Sequence, residues 1–163
     1  MEGKQKMKLY ISGSLIAIVN VEHLVSVIEN SNNNAIKFLI PHKITPGNLP
    51  HESFPLNVYT KCIEMMEQSD GCFVILDTYG RDSSWEMGWF KGRNKPIIGF
   101  VEKNTMFLQD WMVKGGLDAI ITSSEMIYKV ILKDPILKRK KLYKLSTLKE
   151  LNDKILTIVG QTK

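Results

Sequence analysis

SDGCFVILDTYGRDSSWEMGWFKGRNKPII, residues 69–98, is the stretch of this sequence that decides the fold. An apolar run at residues 72–76 is followed by a loop, by helical spacing over residues 84–93, and by a second apolar run at residues 97–101. Both runs are apolar throughout rather than at every second residue, which is typical of strands buried on both faces of a parallel sheet. The stretch therefore predicts a β-α-β unit.

The same alternation continues on either side of this unit. Strand-like apolar runs and segments of helical spacing take turns along the chain: strands at residues 9–11, 36–40 and 119–121, and helices at residues 15–29, 58–68 and 124–132. A chain of 163 residues suits one ordinary domain with its own core. We predict an α/β fold, a flavodoxin-like or Rossmann-like doubly wound sheet of five parallel strands with helices on both faces.

The C-terminal part of the chain carries most of the positive charge. Residues 133–149 contain seven Lys or Arg residues and a single Asp, a net charge of +6 in a chain whose total is +5. Because the positive charge is confined to one segment, it indicates a solvated helix surface and argues against nucleic acid as a partner. We place a domain at residues 1–133 and a basic C-terminal extension at residues 134–163.

Apolar spacing over residues 145–159 predicts one more helix, used for packing or for oligomer formation. It begins at a Ser146/Thr147 cap, with Glu150 three residues beyond Thr147, which is the spacing of a capping box. By contrast, proline and glycine are concentrated in residues 42–55, which predicts a long irregular loop after the second strand. That loop is either a lid that captures substrate or a plain connector.

The remaining composition indicates a cytoplasmic protein. No apolar run approaches the length of a membrane span, and the basic start at residues 1–8 lacks a cleavage pattern. Cys62 and Cys72 fall in a predicted helix and a predicted buried strand, which favours packing over a disulfide.

We expect neither a metal nor a cofactor. The three histidines, His23, His42 and His51, do not have the spacing of metal ligands relative to the cysteines. No cluster of carboxylates indicates a divalent ion.

Polar residues follow two of the predicted strands, and ligands of doubly wound sheets bind beyond the carboxyl ends of strands. Ser12, Gly13 and Ser14 follow the first strand and lead into a helix, whose N-terminal amides can bind a phosphate or a sugar hydroxyl. Asp77 ends the third strand, and Gly80 permits a tight loop after it. These residues are candidates for substrate binding.

Glu86 is the strongest candidate for a catalytic residue. Asp82, Ser83 and Ser84 offer capping oxygens, which would place Glu86 in the first turn of the following helix. A carboxylate near a helix N-terminus is favoured as the anion, and an anion is available as a nucleophile. The alternatives are that Glu86 only complements the helix dipole and that Asp82 is only an N-cap.

Three motifs resemble the nucleoside 2-deoxyribosyltransferase family and its nucleotide N-hydrolase relatives. KLYISG at residues 8–13 is similar to the family's first strand, and SDGCFVILD at residues 69–77 to the strand before the active-site loop. WEMGWF at residues 85–90, with KPII at residues 95–98, is similar to the motif around the nucleophilic glutamate. The resemblance covers roughly residues 8–125.

The resemblance implies a mechanism and roles for residues. Glu86 would attack C1′ of a 2-deoxynucleoside or its 5′-phosphate, oriented by Tyr10, and a second base or water would resolve the glycosyl-enzyme ester. Asp77 or Asp82 would hold sugar hydroxyls or share a proton with the leaving base. Asp82 lies four residues before Glu86, whereas family members place an aspartate about six before it. The remaining substrate contacts are Ser12, Gly13, Ser14 and Ser84, the last two for a 5′-phosphate.

Residues 107–113 resemble the segment that a neighbouring subunit inserts into the active site in oligomers of this family. The resemblance implies a homo-oligomer in which Gln109 or Trp111 approaches the other subunit's Glu86. Ordinary core packing is the alternative for Trp111.

Two other functions are compatible with this fold. A Toll/interleukin-receptor-like NAD glycohydrolase also has a catalytic glutamate close to a serine and a tryptophan, as in Ser84, Trp85 and Glu86, although its glutamate usually lies further from the tryptophan. A non-catalytic nucleotide-binding sensor can be built on the same sheet. Release of base from deoxynucleosides, deoxynucleotides or NAD distinguishes the three.

Overall fold

The structure is a computed structural model and describes residues 6–13, 18–30, 35–44 and 51–160. Within these ranges the regular elements alternate along the chain. They are β1 (Met7–Ser12), α1 (Ile18–Glu29), β2 (Ile36–Leu39), α2 (Phe54–Gln68), β3 (Gly71–Ile75), α3 (Arg81–Lys91), β4 (Ile97–Phe100), α4 (Trp111–Gly116), β5 (Ala119–Thr122), α5 (Glu125–Lys133), β6 (Lys141–Lys144) and α6 (Leu151–Gly160).

The strands form a parallel sheet in the order β2-β1-β3-β4-β5-β6. Tyr10 pairs with Cys72 across β1 and β3, and Cys72 pairs with Ile97 across β3 and β4. The chain runs from β1 to β2 on one side of β1, and then crosses to β3 on the other side of β1. Such a switch point opens a crevice at the carboxyl ends of β1 and β3, where ligands bind in doubly wound sheets. The predicted fold class is confirmed.

The predicted number of five strands was wrong, because the described part of the chain contains a sixth. β6 lies in the basic segment and pairs with β5, with Leu142 opposite Ile120. It is an edge strand with exposed Lys141 and half-buried Leu142 and Tyr143. Lysines on an edge strand discourage pairing with another chain, which accounts for part of the local positive charge without a helix surface. The sheet thus continues past residue 133, while the division into domains there stays a prediction.

Alternate residues of the strands bury opposite faces of the sheet. One face packs against α1 and α6, and its core contains Leu9, Ile11, Leu24, Phe73, Ile75, Ile98, Leu151 and Ile155. The other packs against α2 to α5, and its core contains Tyr10, Met66, Cys72, Val74, Met87, Phe90, Ile97, Val113, Ile120 and Ile127. Every position of β3, β4 and β5 is buried, since each of these strands is covered on both faces, which explains the continuous apolar runs.

The predicted helix at residues 145–159 begins later than expected. The predicted capping box is present, with Thr147 and Glu150 bonded to each other's backbone N–H groups. A short 3₁₀ turn follows it, and α6 then runs from Leu151 and buries its apolar side chains in the core. The helix is therefore a packing element of this fold.

The predicted irregular loop at residues 42–55 is shorter than expected. A 3₁₀ turn covers His51–Ser53, and α2 begins at Phe54. Pro55 lies in the first turn of α2, where its missing N–H costs no hydrogen bond. Residues 45–50 lie outside the described residues.

Two smaller findings concern the cysteines and the helices. Cys62 and Cys72 are free thiols, in α2 and β3 as predicted. Among the described residues, no helix has both the length and the apolar character needed to cross a membrane.

Candidate active site

Glu86 lies in the second turn of α3, because that helix begins at Arg81 with Gly80 as its N-cap. The prediction that Glu86 falls in the first turn was wrong. No capping side chain is present at this N-terminus, and the Ser84 hydroxyl instead donates to the carbonyl of Gly80 at 3.1 Å. Since the dipole acts mainly within the first turn, it does not account for a carboxylate at this position. Asp82 likewise lies inside the helix rather than capping it.

Two hydroxyl groups of β1 hold the Glu86 carboxylate. The Tyr10 hydroxyl donates to Oε1 and the Ser12 hydroxyl donates to Oε2, each at 2.5 Å. Tyr10 and Ser12 are two residues apart on a strand, so their side chains leave the same face of the sheet. Both are buried. The first strand thus supplies a fixed donor for each oxygen of a carboxylate that lies 74 and 76 residues further along the chain.

Burial and hydrogen bonding shift the pKa of Glu86 in opposite directions. Burial, the strongest influence, raises the pKa of Glu86, and the negative charge of Asp82 raises it further. The hydrogen bonds from Ser12 and Tyr10 lower that pKa by stabilising the anion. Burial, and then the Glu86 charge, raise the pKa of the Tyr10 phenol, which therefore stays protonated as a donor.

A cleft of about 380 Å³ lies between α2 and α3 and reaches Glu86. The α2 wall is a stripe at helical spacing, and α3 contributes the residues around the carboxylate. The lining residues are Pro55, Val58, Tyr59, Cys62, Ile63, Met66, Asp82, Trp85 and Glu86. Asp82 and Glu86 are four residues apart and therefore share one face of α3. The structure thus brings two of the predicted site residues into one cleft, with Tyr10 and Ser12 beneath it.

Sequence reasoning missed the α2 wall of this cleft. Tyr59, Cys62, Ile63 and Met66 recur at the spacing of one helix face, which by itself predicts only a buried stripe. Burial raises the pKa of the Cys62 thiol. Only the packing of α2 against α3 makes this stripe the wall of a cleft.

Asp77 lies elsewhere. Its Oδ2 accepts from the backbone N–H of Glu102 at 2.8 Å, and its Oδ1 accepts from Lys103 at 2.7 Å and Asn104 at 2.6 Å. Neither oxygen hydrogen-bonds Tyr10 or Glu86 in the described part of the chain. The catalytic role predicted for Asp77 is therefore not matched by its contacts, which hold the loop after β4. Asp77 and Glu102 are 25 residues apart in the chain, so the sequence pattern does not reveal this structural role of Asp77.

The other predicted substrate contacts are scattered. Ser84 lines a second groove, between α3 and α4, together with Trp111. Trp111 is 77% exposed, so core packing, the alternative for this residue, does not occur. Gln109 is exposed at the end of a 3₁₀ turn before α4. Gly13 directly follows β1, beside Ile75 and Thr78.

Ser14 lies outside the described residues, so the structure places no side chain for it. Within the described residues, no three His, Cys, Asp or Glu side chains are grouped to hold a metal ion.

Fold and geometry together define a class: doubly wound α/β proteins with a half-buried glutamate, held by hydroxyl groups of the first strand, at the switch point of the sheet. The family model for nucleoside 2-deoxyribosyltransferase matches residues 9–134. The match covers more than half of the chain, and the chain belongs to this family. The resemblance seen in the sequence motifs is thereby confirmed.

Solved structures show the same fold at low sequence identity. A 2-deoxyribosyltransferase from the psychrotolerant bacterium Bacillus psychrosaccharolyticus matches with a TM-score of 0.53 and 18% identity, over 69% of this chain and 84% of that one. A conserved protein from Enterococcus faecalis V583 matches with a TM-score of 0.54 and 15% identity, over 97% of this chain and 99% of that one. A comparison with curated proteins gives no match.

Proposed function

We propose that this protein cleaves the N-glycosidic bond of 2-deoxynucleosides or their 5′-phosphates, with Glu86 as the nucleophile. The observation that carries the proposal is the half-buried Glu86 carboxylate, which two hydroxyl donors of β1 hold at the base of an open cleft. Membership of the nucleoside 2-deoxyribosyltransferase family supports it.

The reaction has two steps. In the first, a carboxylate oxygen of Glu86 forms a bond to C1′ while the bond between C1′ and the base nitrogen breaks, and the electron pair leaves with the base, which takes up a proton from solvent. In the second, the oxygen of a water molecule or the nitrogen of a second base bonds to C1′, and the ester bond to Glu86 breaks. The attacking group loses its proton, and Glu86 returns as the carboxylate.

The site residues contribute to both steps. The negative charge of Glu86 stabilises the positive charge that develops at C1′ in an oxocarbenium-like transition state. The hydrogen bonds from Tyr10 and Ser12 orient the carboxylate and keep its oxygens at defined positions. Because the carboxylate is half-buried and both of its oxygens accept hydrogen bonds from the protein, less water has to be displaced before it attacks.

The proposal extends to the assembly. We infer a homo-oligomer in which residues 107–113 of one subunit complete the site of another. Trp111 and Met112 support this, since they are 77% and 89% exposed on the same helix. Light scattering of the parent and of a Met112→Glu variant tests it. The parent should be larger than one chain and the variant smaller than the parent, and a monomeric parent with full activity would refute the inference.

The test of the reaction is release of base. The protein is incubated with deoxynucleosides, deoxynucleotides and NAD, and free base is separated by chromatography. We expect release from one of the first two groups, and intact-mass spectrometry should detect the glycosyl ester during turnover. Release only from NAD would support the glycohydrolase alternative, and no release from any substrate would support the sensor.

The predicted cytoplasmic location stays a prediction.

The matched variants are Glu86→Gln and Glu64→Gln. Glu86→Gln should lower turnover by about 10³-fold or more, because the amide is a poor nucleophile. Glu64 is exposed on α2 and does not line the cleft, so its replacement removes the same charge and should leave turnover unchanged. Equal turnover in Glu86→Gln and the parent would overturn the proposed role of Glu86.

A further inference from the structure

The structure points to a base-binding platform at the rim of the cleft. Resting on the proposed function, we propose that Tyr59 and Trp85 stack against the nucleobase and that Asp82 selects bases that carry an exocyclic amine. The substrate class would then be 2-deoxynucleosides of cytosine or adenine type, in preference to those of uracil or hypoxanthine type.

The aromatic pair has the properties of a stacking surface. Tyr59 of α2 and Trp85 of α3 are 55% and 52% exposed, although both are large apolar side chains. Their ring centroids are 6.3 Å apart with planes tilted by 54°, and both rings line the cleft that contains Glu86. Exposed aromatic faces next to a cleft stack with bases, since every base presents a flat π-surface.

The position of this pair relative to Glu86 suits a nucleoside. Trp85 precedes Glu86 in α3, and Tyr59 lies on the stripe of α2 that faces it across the cleft. A base in contact with these rings would keep its glycosidic bond close to the Glu86 carboxylate. Asp82 is one helical turn from Glu86, so their Cβ atoms are about 5–6 Å apart. That separation is comparable to the length of a base from its glycosidic nitrogen to its exocyclic group.

The chemistry of Asp82 then decides between exocyclic groups. An ionised carboxylate only accepts hydrogen bonds, so it pairs with the amine of cytosine or adenine and repels the carbonyl of uracil or hypoxanthine. Among the described lining residues, the acidic side chains Asp82 and Glu86 are accompanied by no Lys, Arg or His. The electrostatic environment of the cleft therefore disfavours a base that presents only an acceptor at this position.

Two pairs of nucleosides that differ only at the exocyclic group test the proposal. We expect a higher kcat/KM for deoxycytidine than for deoxyuridine, and for deoxyadenosine than for deoxyinosine. In Asp82→Asn, whose amide can donate to a carbonyl, each ratio should fall by about tenfold or more. The ratio cancels any general effect of the lost charge on Glu86. Asp153→Asn, on exposed α6 surface away from the cleft, should leave both ratios unchanged.

The stacking surface is tested separately. Trp85→Leu and Tyr59→Leu should each raise KM by about tenfold for all four nucleosides and change kcat less. Tyr128→Leu on α5 removes a ring elsewhere and should change neither constant. Circular dichroism shows whether each variant is folded.

The outcomes distinguish this inference from the proposed function. If base is released without preference for the amine, or if Asp82→Asn leaves the ratios unchanged, the platform is refuted and the proposed function stands. If neither the four nucleosides nor their 5′-phosphates are cleaved, the proposed function fails, and calorimetric binding of the same four nucleosides decides the platform. Tighter binding of the amine member of each pair, lost in Asp82→Asn, supports the platform, and equal binding overturns it.

Discussion

The half-buried carboxylate of Glu86 links activity with stability. Its pKa in the folded protein is raised by burial, whereas in the unfolded chain it is ordinary. Between these two pKa values the folded state binds more protons than the unfolded state, so the free energy of unfolding falls as the pH rises through this interval. Above the folded-state pKa the full cost of keeping a charge at this half-buried position is present. The nucleophile is thus kept at the expense of stability at neutral pH.

The first prediction concerns this cost. Glu86→Gln keeps the size of the side chain and removes the charge, so it should unfold at a higher temperature than the parent at neutral pH. The difference should shrink as the pH falls and disappear below the ordinary carboxyl pKa, about 4. Thermal denaturation of both proteins over a pH series measures it. A variant that is less stable than the parent at neutral pH would contradict the prediction.

Tyr10→Phe is the second prediction. The phenol lowers the pKa of Glu86 by donating to Oε1, so its removal should raise that pKa. The acid limb of the pH-rate profile should therefore move to higher pH, and turnover should fall by about 10- to 100-fold, as expected for a lost hydrogen bond to a charged group. Tyr128→Phe is the control. An unchanged acid limb would mean that Tyr10 does not act on the nucleophile.

At the scale of elements, the loop after β4 depends on a residue at the end of β3. Asp77 accepts three backbone hydrogen bonds from residues 102–104, and the Asn104 side chain donates to the Asp77 carbonyl at 3.1 Å. One carboxylate thereby joins the ends of two neighbouring strands. The hydrogen bonds from Glu102 and Asn104 are partly buried, whereas the one from Lys103 is exposed.

The third prediction follows from this contact. Asp77→Asn places an amide N–H group against at least one of the three backbone donors that now meet the carboxylate, so it should lower the free energy of unfolding by about 1–3 kcal/mol. Turnover per folded molecule should change little. Chemical denaturation and steady-state kinetics on the same samples measure the two effects. A fall in kcat of more than about 100-fold with unchanged stability would restore the catalytic role that the sequence predicted for Asp77.

At the scale of the whole molecule, the C-terminal segment completes the fold. β6 extends the sheet, and α6 covers the face that α1 leaves open. Apolar side chains from this segment lie in the core: Leu145, Leu151, Ile155, Ile158 and Val159. Burial of each contributes about 1.5–3 kcal/mol, so together they are comparable to the whole stability of an ordinary domain, about 5–15 kcal/mol.

The fourth prediction is that a chain ending at residue 134, where the family match ends, does not fold. Circular dichroism should show no cooperative thermal transition, because one face of the sheet loses α6 and is left with α1 alone. Ile155→Ala is the milder companion and should cost about 2–5 kcal/mol while the protein still folds. A truncated chain with a cooperative transition and base-releasing activity would show that the segment is an independent extension.

What the sequence by itself determined is what depends on neighbours along the chain. The alternation of apolar runs and helical spacing indicated the doubly wound sheet, and the motif around Glu86 indicated the family. The capping box of Thr147 and Glu150 was also readable, because a cap is made within one turn. A short strand such as β6, half exposed at an edge and rich in lysine, lacks that local pattern and was missed.

The tertiary structure alone decided which of these side chains meet. Tyr10 and Ser12 hydrogen-bond Glu86, which lies more than 70 residues away in the chain. Asp77 instead binds the loop after β4, and Trp111 is exposed at the surface. Hydrophobic periodicity sets which face of an element is buried, since it acts between residues of the same element. The partner of a buried polar group depends on which distant element packs over it. That choice is made by desolvation and hydrogen bonding, which act only when the elements are assembled.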